Sequence, residues 1–411
     1  MSESSAEGMP PADRALARKA AIVGLGETDY HRDYQAAREA ARDGAPGHDL
    51  PTPEGLAATA FERALADSGL GRDDIDGISV SFLYGGPDAA AMGAMLGLDT
   101  RYAIENGGIM AGPLPIVCAD IAAGRADTVA MIYAVASRAI GRQYGGSTYG
   151  ADQEKTPASY YYYHPWGWSS QAAHWAMVAS HYHQQYGTGE EDLGAVAIQL
   201  RRNATGNPNA VMQAPLSLDA YMASRYIVRP LHLFDMCLVN DGAVCLIVRR
   251  ADLCGGLPHA PVLVSGWGEA KVRGRKLRAL VRDRLRPQLQ DAGRQAMEMA
   301  GVALSDIGHF EGYDAASIHL VDQVEGYGFV APGQGLHAFR DGALAVGGQL
   351  PVNTAGGMMS EAYMHGWNNV AEVVRQLRHE AGDRQIEGLH AAMSSLAQTD
   401  QAHPIIYQRG A

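Results

Sequence analysis

One phrase occurs twice in this chain. Ala60 to Ile78, AFERALADSGLGRDDIDGI, returns as Ala292 to Phe310, AGRQAMEMAGVALSDIGHF. Ala64, Gly69 and Ile75 are matched by Ala296, Gly301 and Ile307 at one constant offset. Each copy reads as an amphipathic helix, a Gly stop of the kind that caps helices, an Asp-Ile turn and a strand. Two unrelated helices before strands are the plainer reading, but they would not share the turn grammar. A repeat of this length implies duplicated halves, each rich in βαβ units.

The chain of 411 residues is long enough for two such halves. Apolar residues make up 47%, with abundant Gly and few aromatics, which fits a large α/β protein with close helix–sheet packing. The net charge of -12 argues against nucleic acid or an anionic membrane surface as the main partner. The basic run Lys271 to Arg286 is either a solvated helix face or a local phosphate contact. Cys118, Cys237, Cys245 and Cys254 have neither metal-ligand spacing nor a disulfide framework. No apolar run is long enough to cross a bilayer, and the polar N-terminus has no signal-peptide core. A cytoplasmic protein is expected. The expected layout is a loose tail at 1–18, a first half at 19–255 with a loop domain at about 135–230, and a second half at 256–411.

Taken in order, Ala20 to Gly24 reads as a buried strand. Gly24 and Gly26 do not complete a dinucleotide fingerprint, so that cofactor is excluded. His31 to Pro51 shows no clean period and is expected to be a loop. Thr52 to Leu70 is a helix and Gly77 to Phe82 a strand. A helix over Pro113 to Ala123 follows the Gly-rich Asn106 to Gly112. Val135 to Pro230 is irregular and aromatic, with Tyr160 to Trp168 either walling a pocket or packing a small local core. Helices are expected from Ser170 to Tyr186 and from Glu190 to Arg202. His174, His181 and His183 lack a carboxylate or Cys at ligand spacing, so they are placed on a helical surface. Asn240 to Ala243 is a structural turn, and Val262 to Gly266 begins the second half. The end is a helix over Gly366 to His379 and strands over Gly388 to Leu396 and Pro404 to Gln408.

Pro351 to Asn369, PVNTAGGMMSEAYMHGWNN, reads as a strand end, a Gly-Gly turn and a helix start. Gly356 and Gly357 have no Cβ to keep a ligand from the backbone N–H groups, which suit a developing oxyanion. The alternative is a plain Gly turn between a strand and a helix.

This stretch resembles the Asn-x-x-Gly-Gly loop of thiolases, most closely the sterol-carrier-protein type. There a catalytic His follows the Gly pair in a Gly-His-Pro tripeptide. The matching position here is Tyr363, in Ala362-Tyr363-Met364, and His365 lies two residues beyond it. Asn106 and Gly112 match the thiolase segment that carries the nucleophilic Cys, whose place is taken by Ile109. Cys118 lies nine residues further on, roughly 13 Å down a helix, and reads as a buried hydrophobe. The strand end that holds a catalytic Asn or His in thiolases here reads Tyr313-Asp314, with Asp314 expected to brace that strand end or Tyr313. The second thiolase Cys is absent from Met393 to Ala397. The resemblance implies a thiolase fold: two duplicated βαβαβαββ halves in five αβαβα layers, with an inserted loop domain.

A scaffold that keeps its frame and exchanges its acylating groups for two tyrosines suits chemistry without an acyl-enzyme. A phenol can both donate and accept a proton. The expected reaction is retro-aldol cleavage of a β-hydroxyacyl-CoA, with Tyr313 and Tyr363 catalytic and Gly356, Gly357, Asp314 and His365 around the oxyanion and substrate. The pattern is similar to thiolase-like steroid side-chain aldolases of bacterial sterol and bile-acid catabolism. That likeness implies cleavage of a 17-hydroxy steroid C22-CoA to a 17-ketosteroid and propionyl-CoA. It also implies a homodimer core joined to an OB-fold partner of the DUF35 type, often zinc-bearing, in a heterotetramer. No cofactor or metal is expected in this chain. A non-catalytic acyl-CoA carrier and a cysteine-independent acyltransferase stay open as alternatives.

Overall fold

The sheet is built twice, in the same order and the same senses. The computed structural model describes residues 10–43, 50–82, 85–105, 112–141, 166, 170–271, 285–397 and 401–410. Its strands in chain order are β1 (Ala20–Glu27), β2 (Gly77–Phe82), β3 (Tyr102–Glu105), β4 (Thr128–Ala136), β5 (Tyr226–Val228) and β6 (Leu231–His232). They continue with β7 (Asp241–Arg250), β8 (Val262–Trp267), β9 (Ala270–Lys271), β10 (His309–Gly312), β11 (Ala391–Ala397) and β12 (Gln401–Arg409). From the middle outwards, one wing runs β1-β7-β4-β2-β3 and the other β8-β12-β11-β10. In the first wing β7 is antiparallel to both β1 and β4, and β4 is parallel to β2. In the second β12 is antiparallel to both β8 and β11, and β11 is parallel to β10. The wings meet through a short antiparallel contact, Ala21 opposite Leu263 and Ile22 opposite Val262.

The helices of the first half are α1 (Tyr30–Asp43), α2 (Pro53–Ser68), α3 (Ala89–Met95), α4 (Pro113–Ala122), α5 (Gln171–Tyr186), α6 (Glu190–Thr205) and α7 (Leu218–Met222). Those of the second are α8 (Leu285–Ala300), α9 (Ser317–Gly326), α10 (Gly335–Arg340), α11 (Gly357–Ser360) and α12 (Trp367–Arg378). Side chains of α4 and α12 fill one core between inward faces of both wings, where they meet Tyr133, Val244, Trp267 and Tyr407. The outer face of the first wing packs on α2 and α3, and that of the second on α8 and α9. The result is five layers, αβαβα, as the thiolase resemblance implied. No helix among the described residues is long and apolar enough to cross a membrane.

The repeat read from sequence holds residue by residue. α2 over Pro53–Ser68 corresponds to α8 over Leu285–Ala300, and the 3₁₀ turn Arg72–Asp74 to Leu304–Asp306. Gly69 and Gly301 end the two helices at φ +70° and +72°, a backbone that costs other residues strain. Gly26, rejected above as a dinucleotide motif, is explained by packing. A Cβ on Gly26 would lie 2.0 Å from the Ala60 carbonyl, and one on Gly268 2.0 Å from the Ala292 carbonyl. Each half therefore presses its helix against its first strand through a glycine.

Several expectations are corrected. The loop expected over His31 to Pro51 is largely α1: Tyr30 and Ala37 are buried and Tyr34 packs against the core, a stripe at i, i+4 and i+7. Tyr and Ala make that stripe weakly apolar, which hid it. The strand begun at Ala20 runs past its glycines to Glu27, α6 runs on to Thr205, and β11 and β12 are shifted or longer than read. His174 is buried, not superficial, and stacks edge-on to Trp175 at 4.6 Å between ring centres. Asn106 to Ala111, most of Tyr160 to Trp168 and most of the basic run from Lys271 lie outside the described residues.

Gly268→Ala is expected to destabilise the fold by roughly 1–3 kcal/mol, because a backbone carbonyl cannot yield to the new methyl. Gly255→Ala, where a Cβ meets nothing within 4 Å, is the neutral control. Denaturant unfolding of both variants checks this.

Candidate active site

Two tyrosines fifty positions apart share a hydrogen bond. Tyr313 follows β10, and its N–H donates to the Ser395 carbonyl of β11 at 3.0 Å. The Gln323 side chain of α9 grips the same residue, accepting from the Tyr313 N–H at 3.2 Å and donating to its carbonyl at 2.8 Å. Tyr363 lies in the link between α11 and α12. Its N–H donates to Asn240 Oδ1 at 2.7 Å, just ahead of β7. The hydroxyl oxygens of Tyr313 and Tyr363 stand 2.9 Å apart, with either able to donate. Their rings meet edge-on. Burial above all, then the neighbouring Tyr313 and Cys237, holds the Tyr363 phenol well above its usual range. That phenol is therefore protonated at neutral pH.

The Gly-rich loop is welded to the strand end. Asn353, at φ +46°, accepts from the Gly312 N–H at 2.8 Å and donates to the Gly312 carbonyl at 2.9 Å. Gly356 and Gly357 follow at φ +107° and +59°. A Cβ on Gly356 would strike Ala204 of α6, and one on Gly357 would lie 2.4 Å from Asp314 Oδ2. The expected turn and helix start are present, but three of the N–H groups there are occupied, with Gly356 donating to the Asn353 carbonyl at 3.0 Å. Met358 and Met359 donate to the two oxygens of Asp314, each at 3.0 Å. Asp314 thus braces the loop against the strand end. Any oxyanion must be met by other donors.

The pair sits in a small apolar cluster with Ala315, Met358 and Leu396, against which Cys237 packs. Burial first, and Asp314 second, push the Cys237 thiol up to about 12, so it is no thiolate nucleophile. His365, at φ +50°, stands edge-on to the Tyr363 ring at 4.8 Å and faces Tyr133 at 5.7 Å. His319, which stacks on Trp175 at 3.9 Å, approaches the other side of Tyr313. Cys118 is buried in the central core, as read from its spacing. Ile109 lies outside the described residues. Among those described, no group of His, Cys, Asp and Glu could hold a metal ion. Asn240 and Gln323, which fix the two tyrosine backbones, had no signal in the sequence: each is one amide in an otherwise ordinary segment.

Asp314 gives a testable pH dependence. Burial, its largest influence, lifts the carboxyl to about 7 against the pull of the Met358 and Met359 N–H groups. An unfolded Asp titrates near ~4, so the folded chain holds this proton more tightly. The associated stability is complete below the unfolded value and is lost as pH rises from there through about 7. The unfolding free energy of wild type relative to Asp314→Asn is expected to fall across this window. Denaturant titrations at a series of pH values check it, and a flat difference would contradict it.

Comparisons with known proteins place the fold and the family. Residues 278–403 match the family described as thiolase C-terminal domain-like. The chain is 33% identical over 371 residues to a steroid side-chain-cleaving aldolase of Thermomonospora curvata, covering 87% of this chain and 90% of that one. It is 33% identical to a 17-hydroxy-3-oxo-4-pregnene-20-carboxyl-CoA lyase of Mycobacterium tuberculosis, covering 88% and 92%. The solved structure of an Ltp2-ChsH2(DUF35) aldolase superposes with a TM-score of 0.80 at 28% identity, covering 96% of this chain and 99% of that one. With a thiolase fold and these relatives, the chain belongs to the steroid side-chain-cleaving aldolases.

Proposed function

We propose that this chain cleaves the side chain of a 17-hydroxy steroid C22-CoA by a retro-aldol reaction, giving a 17-ketosteroid and propionyl-CoA. The observation that carries the reading is the 2.9 Å contact between the Tyr313 and Tyr363 hydroxyls. Family membership supports the reaction class, and the lyase from Mycobacterium tuberculosis supports the steroid acyl-CoA.

Two phenols that keep their protons can still move one. The β-hydroxyl of the substrate gives its proton to the first phenol oxygen while that phenol gives its own to the second. The second phenol delivers a proton to Cα. The Cα–Cβ bond breaks, its electron pair forms the thioester enolate, and Cβ becomes the ketone carbon. Protons balance, no phenolate has to build up, and no acyl-enzyme forms. A reference phenol pKa near ~10, raised further at Tyr363, disfavours a free phenolate base but not this relay. In this reading the enolate oxygen lies by the Gly356–Gly357 turn but takes donors other than the Gly356, Met358 and Met359 N–H groups, with His365 bracing Tyr363, and the reaction calls on no cofactor beyond the CoA thioester itself.

A partner belongs to the proposal. The DUF35 component of the superposed aldolase supports a DUF35-type partner, and the proposal gives that partner an OB fold and sets it on a homodimer core of this chain, in a heterotetramer. A cytoplasmic site of action fits a CoA thioester substrate.

The test is co-expression with a DUF35-type partner and assay with a 17-hydroxy C22 steroid-CoA. Propionyl-CoA is expected to be released, and Tyr313→Phe and Tyr363→Phe are each expected to lower kcat by about 100-fold or more while the CoA ester still binds. A complex that binds the ester equally well with Phe at either position and never cleaves it would instead be an acyl-CoA carrier.

A further inference from the structure

Both tyrosines stand two residues after a buried glutamate: Glu311 before Tyr313, and Glu361 before Tyr363. The first turn of α12 carries Asn368 and Asn369 side by side. Asn368 Nδ2 donates to Glu361 Oε2 at 2.9 Å, and Asn369 Nδ2 donates to Glu311 Oε2 at 2.9 Å. Asn369 also reaches the Gly312 carbonyl at 3.2 Å. The second oxygen of each carboxyl is held too. Asn207 Nδ2 donates to Glu361 Oε1 at 2.9 Å, and the Thr354 N–H donates to Glu311 Oε1 at 2.9 Å. One helical turn thus grips both tyrosine-bearing segments, each through a carboxyl just upstream of its phenol.

We propose that Glu361 and Glu311, held by Asn368 and Asn369, are positioning residues that set the separation of the two phenol oxygens. The proposal rests on the tyrosine pair carrying the chemistry. It deepens that reading by naming what fixes the pair.

The state of the carboxyls follows from their surroundings. Glu361 faces Glu372, Glu311, Arg384 and the buried Tyr30. Glu311 faces Glu372, Arg384, Asp314 and His309, whose Nε2 lies 3.0 Å away. The guanidinium of Arg384 is bound to Glu372, at 3.0 Å. Burial, then neighbouring carboxylates, pushes Glu361 and Glu311 well above the usual range, with the Asn amides and Arg384 pulling the other way. His309 is lowered to about 4 by burial, so it adds no cation at neutral pH. Both carboxyls are thereby held toward the protonated form. Both oxygens of Glu361 accept N–H bonds, whereas the Nε2 of a Gln only donates, so Glu361→Gln keeps the side-chain volume but removes one acceptor.

The experiment uses the full chain with its partner and the steroid-CoA assay above, together with crystal structures of the variants. Glu361→Ala and Asn368→Ala are expected to lower kcat about tenfold or more with KM within about threefold, and Glu361→Gln to lower it less than Glu361→Ala, since one of the two accepted bonds survives. The alanine variants are also expected to show a longer Tyr313–Tyr363 oxygen separation. Wild-type kcat in both alanine variants, with Tyr363→Phe inactive, would overturn the positioning role and leave the tyrosine reading intact. Full activity in Tyr313→Phe and Tyr363→Phe would overturn both. If the alanine variants do not fold, Glu361→Gln decides: wild-type kcat with an unchanged Tyr313–Tyr363 oxygen separation in that variant would overturn the positioning role.

Discussion

The Asn353 side chain makes a reciprocal pair of hydrogen bonds with the Gly312 peptide, and the site hangs on that joint. It fastens the loop that leads to Tyr363 onto the strand end that leads to Tyr313. Asn203 of α6 holds the Asn353 carbonyl from the other side at 3.0 Å. Fully buried amides of this kind are costly to leave unpaired, so the loop has one way to lie. Everything downstream inherits that geometry: the Gly356–Gly357 turn, the Asp314 brace, and the approach of two phenols from distant parts of the chain.

Below the joint lies a polar layer in an otherwise apolar interior. Glu311, Glu361 and Glu372 share Arg384, and side-chain amides donate to all three carboxyls. Thr354 donates to Glu372 at 2.7 Å, and Gln376 and Arg384 complete its shell. Such a layer adds little net stability compared with an apolar core, because desolvation offsets most of the attraction. What it adds is direction, since hydrogen bonds fix angles that apolar contacts leave loose. A site that needs two oxygens at bonding distance gains from that.

The glycine loop is braced from within. Its backbone donors at Met358 and Met359 face inward to Asp314. The glycines are needed for that close approach and for the contact with Ala204, both of which a Cβ would block. The same residues would satisfy an oxyanion reading and a bracing one. Only the position of the Asp314 carboxyl separates them.

The duplication and several of the longer elements were legible in the sequence. Those depend on local rules: a Gly at a left-handed cap and an amphipathic period. Gly69 and Gly301 and the helix over Thr52 to Leu70 were legible that way, and a frame counted from a Gly pair singled out Tyr363 before the structure set it beside Tyr313. The tertiary structure alone decided what those residues touch. Asn240, Gln323, Asn368 and Asn369 act on partners in other segments of the chain, as Asn240 does on Tyr363, 123 positions away. Hydrogen-bond pairing between remote segments leaves no period in a single sequence. Burial does the same for charge: nothing local in the sequence shows that Glu311 and Glu361 are held well above the usual carboxylate range, which follows from their enclosure. The helix α1 was lost for a related reason, because Tyr and Ala show their apolar side only when a core is there to receive it.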